Sequence, residues 1–127
     1  MLGSEKPTTF LTTTDKERAK AFFRDLLGLH YISDDGFALI FEMAGGVKLR
    51  ISPMPQVTPA KFTVLGWEVN DLEVKVQEMT GRGVQFQHYG FPTQAPNGIW
   101  TAPDGSKVAW FLDPDGNVLG ISEHARA

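Results

Sequence analysis

Cysteine is absent from this sequence of 127 residues, which excludes disulfides, thiolate nucleophiles and thiolate metal ligands. Long apolar runs are absent as well. No segment approaches the roughly 20 apolar residues that a membrane-spanning helix needs, and the first ten residues hold no run typical of a signal peptide. We therefore expect a soluble, cytoplasmic protein.

Neither sign of charge dominates the sequence. Twelve Lys and Arg residues stand against 15 Asp and Glu, for a formal net charge of -3, so nucleic acid and membrane surfaces are not expected as partners. The GxSxG and phosphate-loop motifs are also missing. The three histidines, His30, His88 and His124, fall on separate predicted elements, and only His88, before a long loop, is a candidate for contacting a ligand.

The strongest local signal is the DPDGN motif at residues 113–117, which lies between two alternating apolar runs. Pro114 presets φ for a turn and Gly116 supplies a positive φ, so the motif predicts a hairpin with a three-residue loop. In that register Trp110 lies opposite Gly120, on one face, and Phe111 lies opposite Leu119, on the other.

The order of predicted elements repeats along the chain. A strand from Thr8 to Thr13 precedes a helix from Asp15 to Leu27, with Thr14 and Glu17 as a capping box, and three strands follow at residues 30–32, 37–43 and 47–52. A second copy begins with a strand at 62–69, a helix from Leu72 ended by Gly81 and Gly83, and a strand at 84–88. We predict one domain, residues 1–127, of two βαβββ modules, at about 8–52 and 62–124, joined by a linker at 53–61.

Three motifs in this order resemble the glyoxalase / bleomycin-resistance / extradiol-dioxygenase superfamily, also called vicinal oxygen chelate proteins. They are DKERAKAFFRDLLGL at 15–29, EVNDL at 68–72 and FLDPDGN at 111–117. The resemblance implies an α+β fold in which the two modules form a curled, mostly antiparallel sheet around a cleft, with the helices outside. It also implies a homodimer.

Metal-binding members of that superfamily usually carry a histidine at the start of the first strand of each module and a carboxylate in the last strand of each. Thr8 and Val64 occupy the histidine positions here, and Arg50 and Gly120 occupy the carboxylate positions. None of these is a usual ligand for a divalent metal, and a shift of one residue offers only Thr9, Thr63 or Leu49. The resemblance thus implies a member without metal or other cofactor.

Strand alternation from the same positions predicts which side chains face the cleft. Arg50 would bind an anionic or carbonyl group between the flat walls of Phe10 and Trp110, or would instead pair with Glu68 as a structural bridge. The full set of candidate ligand-binding residues is Arg50, Trp110, Phe10, Glu68, Thr12, His88 and Trp100. Trp100 belongs to the long loop, together with Tyr89, Phe91 and Ile99, where these residues would form an aromatic lid or simply bury the loop.

The sequence leaves three functions open. In the first, the chain binds a small planar or anionic organic molecule without a metal, and either sequesters it or carries out modest acid-base chemistry with Glu68 or His88. Alternatively it is a metal-dependent lyase, isomerase or dioxygenase whose ligands lie elsewhere, or a non-catalytic module that keeps the fold for dimerisation.

Overall fold

The computed structural model describes residues 1–125, and the chain divides into two compact units. The first unit is Met1–Thr58 and the second begins at Pro59. Each unit contains its own four-stranded sheet of mixed direction, which confirms the α+β class. None of the helices in residues 1–125 is long and apolar enough to span a bilayer.

The first unit contains one α-helix, two single-turn 3-10 helices and four strands. Its sheet has the order β1-β4-β3-β2, in which β1 and β4 are parallel and the other pairs are antiparallel. The elements are β1 (Thr8–Thr13), α1 (Lys16–Lys20) with a π-helical continuation (Ala21–Leu26), β2 (His30–Asp34), β3 (Leu39–Met43) and β4 (Val47–Pro53).

The first helix differs from its prediction at both ends. Its N-cap is Asp15, whose side chain accepts hydrogen bonds from the backbone N–H groups of Glu17 and Arg18, so the predicted cap at Thr14 was one residue early. After Lys20 the turns widen, and the N–H of Leu27 donates to the carbonyl of Phe22, five residues back, at 2.9 Å.

The second unit follows the same plan with a longer loop. Its sheet order is β5-β8-β7-β6, in which β5 and β8 are parallel. The elements are β5 (Thr63–Glu68), α2 (Leu72–Gly81), β6 (Trp100–Thr101), β7 (Lys107–Leu112) and β8 (Val118–Glu123).

The predicted strand at residues 84–88 was wrong. Phe86 makes one isolated bridge to Phe111, and the N–H of Gln87 donates to the carbonyl of Trp110 at 2.8 Å. The same edge of β7 also pairs with β6, a strand that the sequence analysis assigned to the long loop. Because one edge of β7 is shared by two short segments, neither segment extends into a full-length strand.

The predicted hairpin is confirmed in its register and in its loop. Gly116 has a φ of 86°, and the N–H of Asp113 donates to the carbonyl of Asn117 at 3.0 Å. Phe111 pairs with Leu119 and both are buried, on the side of the sheet where α2 contacts β7 and β8. Leu72 and Val76, on one stripe of α2, are also buried, so the core of this unit lies between that helix and the hairpin.

Candidate ligand-binding site

The other face of the second sheet carries two tryptophans. Trp110 pairs with Gly120, and Trp100 pairs with Val108, two residues before Trp110 on the same strand. Since side chains alternate along a strand, Trp100 and Trp110 project from the same face, the one opposite α2. Gly120 has no side chain to cover the indole next to it.

Two rings from the long loop pack against these tryptophans. Tyr89 lies 5.4 Å from Trp110 between ring centroids, and Phe91 lies 5.8 Å from Trp100 and 5.9 Å from Trp110. The two indoles are 6.3 Å apart at 34°. We call Tyr89, Phe91, Trp100 and Trp110 the aromatic cluster. Of the four residues predicted to form a lid or to bury the loop, three belong to this cluster, whereas Ile99 is only 2% exposed and belongs to the core.

An open groove of about 320 Å³ lies beside the aromatic cluster. Three of its aromatic side chains remain exposed to solvent: Phe62 by 69%, Tyr89 by 47% and Phe91 by 43%. The lining residues are Lys61, Phe62, Thr63, Tyr89, Phe91, Trp110 and Val118. We call this feature the aromatic groove.

The amide of Gln94 holds the loop that carries Tyr89 and Phe91. Its Oε1 accepts from the N–H of Tyr89 at 2.9 Å, and its Nε2 donates to the carbonyls of Gln87 at 2.8 Å and Gly98 at 2.9 Å. One partly buried side chain therefore joins both ends of the loop. Both the oxygen and the nitrogen of the Gln94 amide are hydrogen-bonded, so the loop has a defined position beside Trp110.

His88 and Glu68 lie near this face but make other contacts. His88 is exposed, and its Nε2 lies 2.9 Å from the carbonyl of Pro96, which fixes that nitrogen as a donor within the loop. Glu68 is exposed at the end of β5, 4.0 Å from Nε2 of His124. Neither side chain lines the aromatic groove.

Three of the candidate residues belong to the first unit. Phe10 pairs with Arg50, and Ile40 pairs with the same arginine from the other side, so the three side chains form one row across the sheet. Phe10 is 67% exposed. Thr12 projects from the same face as Phe10, two residues further along β1.

The ion-pair partner of Arg50 is Asp35, at 2.6 Å between Nη2 and Oδ2. The Arg50 guanidinium, followed by the backbone N–H groups of Phe37 and Ala38, lowers the pKa of Asp35 to about 2. Glu68 was the predicted partner in one of the two interpretations of Arg50, and Asp35 was not predicted. The signal for it is the turn SDDG at residues 33–36, whose second aspartate accepts from its own turn and stands opposite β4.

The superfamily's metal ligands have no equivalent at the four aligned positions. The two histidine positions hold a hydroxyl group, from Thr8, and an alkyl group, from Val64. The two carboxylate positions hold a permanent cation, Arg50, and a residue without a side chain, Gly120. Within residues 1–125, no three His, Cys, Asp or Glu side chains gather closely enough to hold a metal ion. The residues present at these positions do not fit a divalent metal.

Comparison with known proteins agrees with this geometry at the level of fold. The family described as Glyoxalase/Bleomycin resistance protein/Dioxygenase superfamily matches residues 7–121. No curated protein matches the chain.

Several solved structures resemble the chain over nearly their whole length. The antibiotic binding protein TnmS3 from Streptomyces sp. CB03234 has a TM-score of 0.70 at 23% identity and covers 96% of this chain and 97% of its own. A lactoylglutathione lyase from Agrobacterium tumefaciens has a TM-score of 0.68 at 21% identity, with 94% and 93% covered. A superfamily member from Sphaerobacter thermophilus DSM 20745 has a TM-score of 0.74 at 20% identity, with 95% and 98% covered. At these identities the likeness concerns the fold alone.

Proposed function

Since this chain belongs to the Glyoxalase/Bleomycin resistance protein/Dioxygenase superfamily, we propose that it binds a small planar organic molecule in the aromatic groove. The observation that carries the proposal is the aromatic cluster itself. Each of the four rings has at least two neighbours in the cluster at centroid distances of 5.4 to 6.3 Å, and two of the rings stay more than 40% exposed beside an open groove. Exposed apolar surface in a concave site is typical of a ligand-binding surface.

A planar ligand suits the rings better than a flexible aliphatic one. Aromatic pairs in offset or edge-to-face arrangement gain about 0.5–1.5 kcal/mol beyond the burial of their area. Trp110 lines the groove, and its indole is tilted by only 34° from that of Trp100 behind the same face, so a flat molecule in the groove would lie against an indole. Gly120 leaves the sheet beside Trp110 without a competing side chain.

Binding without chemistry is the form of the proposal that we favour. The groove is lined by aromatic and aliphatic side chains, one lysine and one threonine, and none of its seven lining residues is a histidine or carboxylate that would transfer protons. A relative described as an antibiotic binding protein has a similar fold, which supports sequestration as one use of this architecture. A lyase like the similar lactoylglutathione lyase, or a dioxygenase, would need metal ligands at positions other than the four aligned ones.

We also propose that the protein is a homodimer, as the family resemblance suggests, and that it acts in the cytoplasm, as the sequence suggests. Phe10, Thr12 and Arg50 remain candidate ligand contacts from the first unit, and Glu68 and His88 remain candidates from the second. Light scattering after size exclusion tests the dimer, since a mass of 14.0 kDa would identify a monomer.

Intrinsic fluorescence provides a direct test of the groove, because the chain has three tryptophans. Trp100 and Trp110 belong to the aromatic cluster, whereas Trp67 pairs with Ile121 and therefore faces the opposite side of the sheet. A planar probe such as 2-naphthoate should change the emission of the wild type. Trp110→Phe should remove most of that change and weaken binding, and Trp67→Phe should retain both. Equal loss with Trp67→Phe, or retention with Trp110→Phe, would refute the groove as the site.

A further inference from the structure

We infer that Lys61 makes the aromatic groove selective for aromatic anions, an inference that rests on the proposed function. This lysine is the last residue of the predicted linker at 53–61, and no role was predicted for it. In the structure it lines the groove together with Phe62 and Trp110. The ligand class that fits is a flat ring system with a carboxylate or another anionic group at its edge.

The position of Lys61 is fixed by contacts on both sides of it in sequence. Pro59 lies against the hairpin turn, where a Cβ atom added at Gly116 would come within 3.3 Å of its Cγ. Thr63 begins β5 and pairs with Val118, which lines the groove itself. The short segment between these two points therefore runs along the edge of the groove, and its backbone places Lys61 beside the groove.

The charge of Lys61 has nothing to neutralise it within the groove. It is the one charged side chain among the lining residues, and it forms no ion pair with any other side chain in residues 1–125. Lys48, Lys16 and Lys75, by contrast, each lie within 3.7 Å of a carboxylate oxygen. An anion bound against the rings could therefore pair with Lys61 without breaking an existing ion pair.

The expected preference for an anionic ligand is small, because the Lys61 side chain is exposed to solvent. Lys61 is exposed, and ion pairs at exposed sites are worth little because water and salt screen them. We expect the wild type to prefer an aromatic anion over its neutral isostere by about two- to fivefold at low salt. The preference should shrink when the ionic strength is raised to about 0.5 M, where the Debye length falls below the length of the lysine side chain.

The test compares two probes that share the naphthalene ring and differ in the group at its edge, the anionic 2-naphthoate and the neutral 2-naphthamide. Both are titrated against the wild type and the variants Lys61→Gln, Lys61→Glu and Lys61→Arg, with tryptophan fluorescence as the readout. Lys75→Gln is the matched control, since it removes the same charge from α2, where Lys75 faces Glu78. Circular dichroism establishes that each variant is folded.

We expect Lys61→Gln to abolish the preference for 2-naphthoate, Lys61→Glu to reverse it, and Lys61→Arg and Lys75→Gln to retain it. If the wild type binds both probes equally, or Lys61→Gln keeps the preference, the role of Lys61 is refuted while the groove remains a binding site. If the wild type binds neither probe, the proposed function itself fails, and the inference about Lys61 fails with it.

Discussion

Gly120 lies directly opposite Trp110 on the neighbouring strand, and a Cβ atom added at position 120 would sit 3.7 Å from Cδ1 of the indole and 3.3 Å from Cγ2 of Thr63. Gly66 pairs with Gly120 from the other side, and there an added Cβ would lie 2.9 Å from the backbone oxygen of Gly120. Two adjacent glycines thus create the space in which Trp110 and the parallel strand pair fit together.

The two glycines should differ in their tolerance of a methyl group. Gly66→Ala presses on a backbone atom that cannot move without disturbing the ladder, so we expect a loss of about 1–3 kcal/mol in the free energy of unfolding. Gly120→Ala presses on a side-chain methyl group, which can yield, and should cost less. Gly81→Ala at the end of α2 meets nothing within 4 Å and serves as the control, with no loss expected. Urea unfolding measures all three, and an equal cost at positions 66 and 81 would contradict this order.

Gln94→Glu should loosen the loop that carries Tyr89 and Phe91. The carboxylate has no N–H to donate, so the carbonyls of Gln87 and Gly98 would face an oxygen in place of Nε2, at a cost of about 1–3 kcal/mol in stability. We expect a lower melting temperature and weaker binding of 2-naphthoate. Gln85→Glu introduces the same charge at an exposed position nearby and should change neither quantity by much. Unchanged binding in Gln94→Glu would show that the loop does not shape the groove.

The Arg50–Asp35 ion pair should make the free energy of unfolding depend on pH in the acidic range. The pKa of Asp35 is lowered to about 2, so its stabilising contribution is complete above the ordinary carboxyl pKa near 4 and is lost as the pH falls through about 2. Asp35→Asn should therefore narrow the stability difference between pH 5 and pH 2. Nuclear magnetic resonance titration of the carboxyl carbon gives the pKa directly, and Arg50→Ala should raise it. A wild-type value near 4 would contradict the ion pair.

Metal should not stabilise this protein. A metal ion that binds the native state at a hundredfold excess over its dissociation constant adds about 2.7 kcal/mol of stability, which a melting experiment readily detects. We expect the melting temperature to be the same with and without a chelator. Arg50→Glu should not create a site, since Thr8, Val64 and Gly120 still provide no strong ligand. Near-stoichiometric zinc, nickel, iron or manganese in elemental analysis of the purified protein would overturn this expectation.

The sequence by itself determined those features that depend on near neighbours. The hairpin at 113–117 forms as predicted because Pro114 and Gly116 restrict their own backbone angles, and the register of β7 on β8 then follows by counting. The hairpin of β3 and β4 also turns through a short local segment, at residues 44–46, and it brings Lys48 to within 3.1 Å of Glu42 as an opposed pair. Family membership was also recognisable, since it rests on short motifs in a fixed order.

Only the tertiary structure decided the features that depend on distant partners. Residues 84–88 have the alternation of a strand, yet they share one edge of β7 with β6, and no local pattern records such competition. Asp35 reaches Arg50 across 15 positions of sequence, and Lys61 lines the same groove as Trp110 across a much longer interval. The physical reason is that turn and cap preferences are set by the dihedral angles of a few residues, whereas the groove is set by which distant side chains the packed sheet brings together.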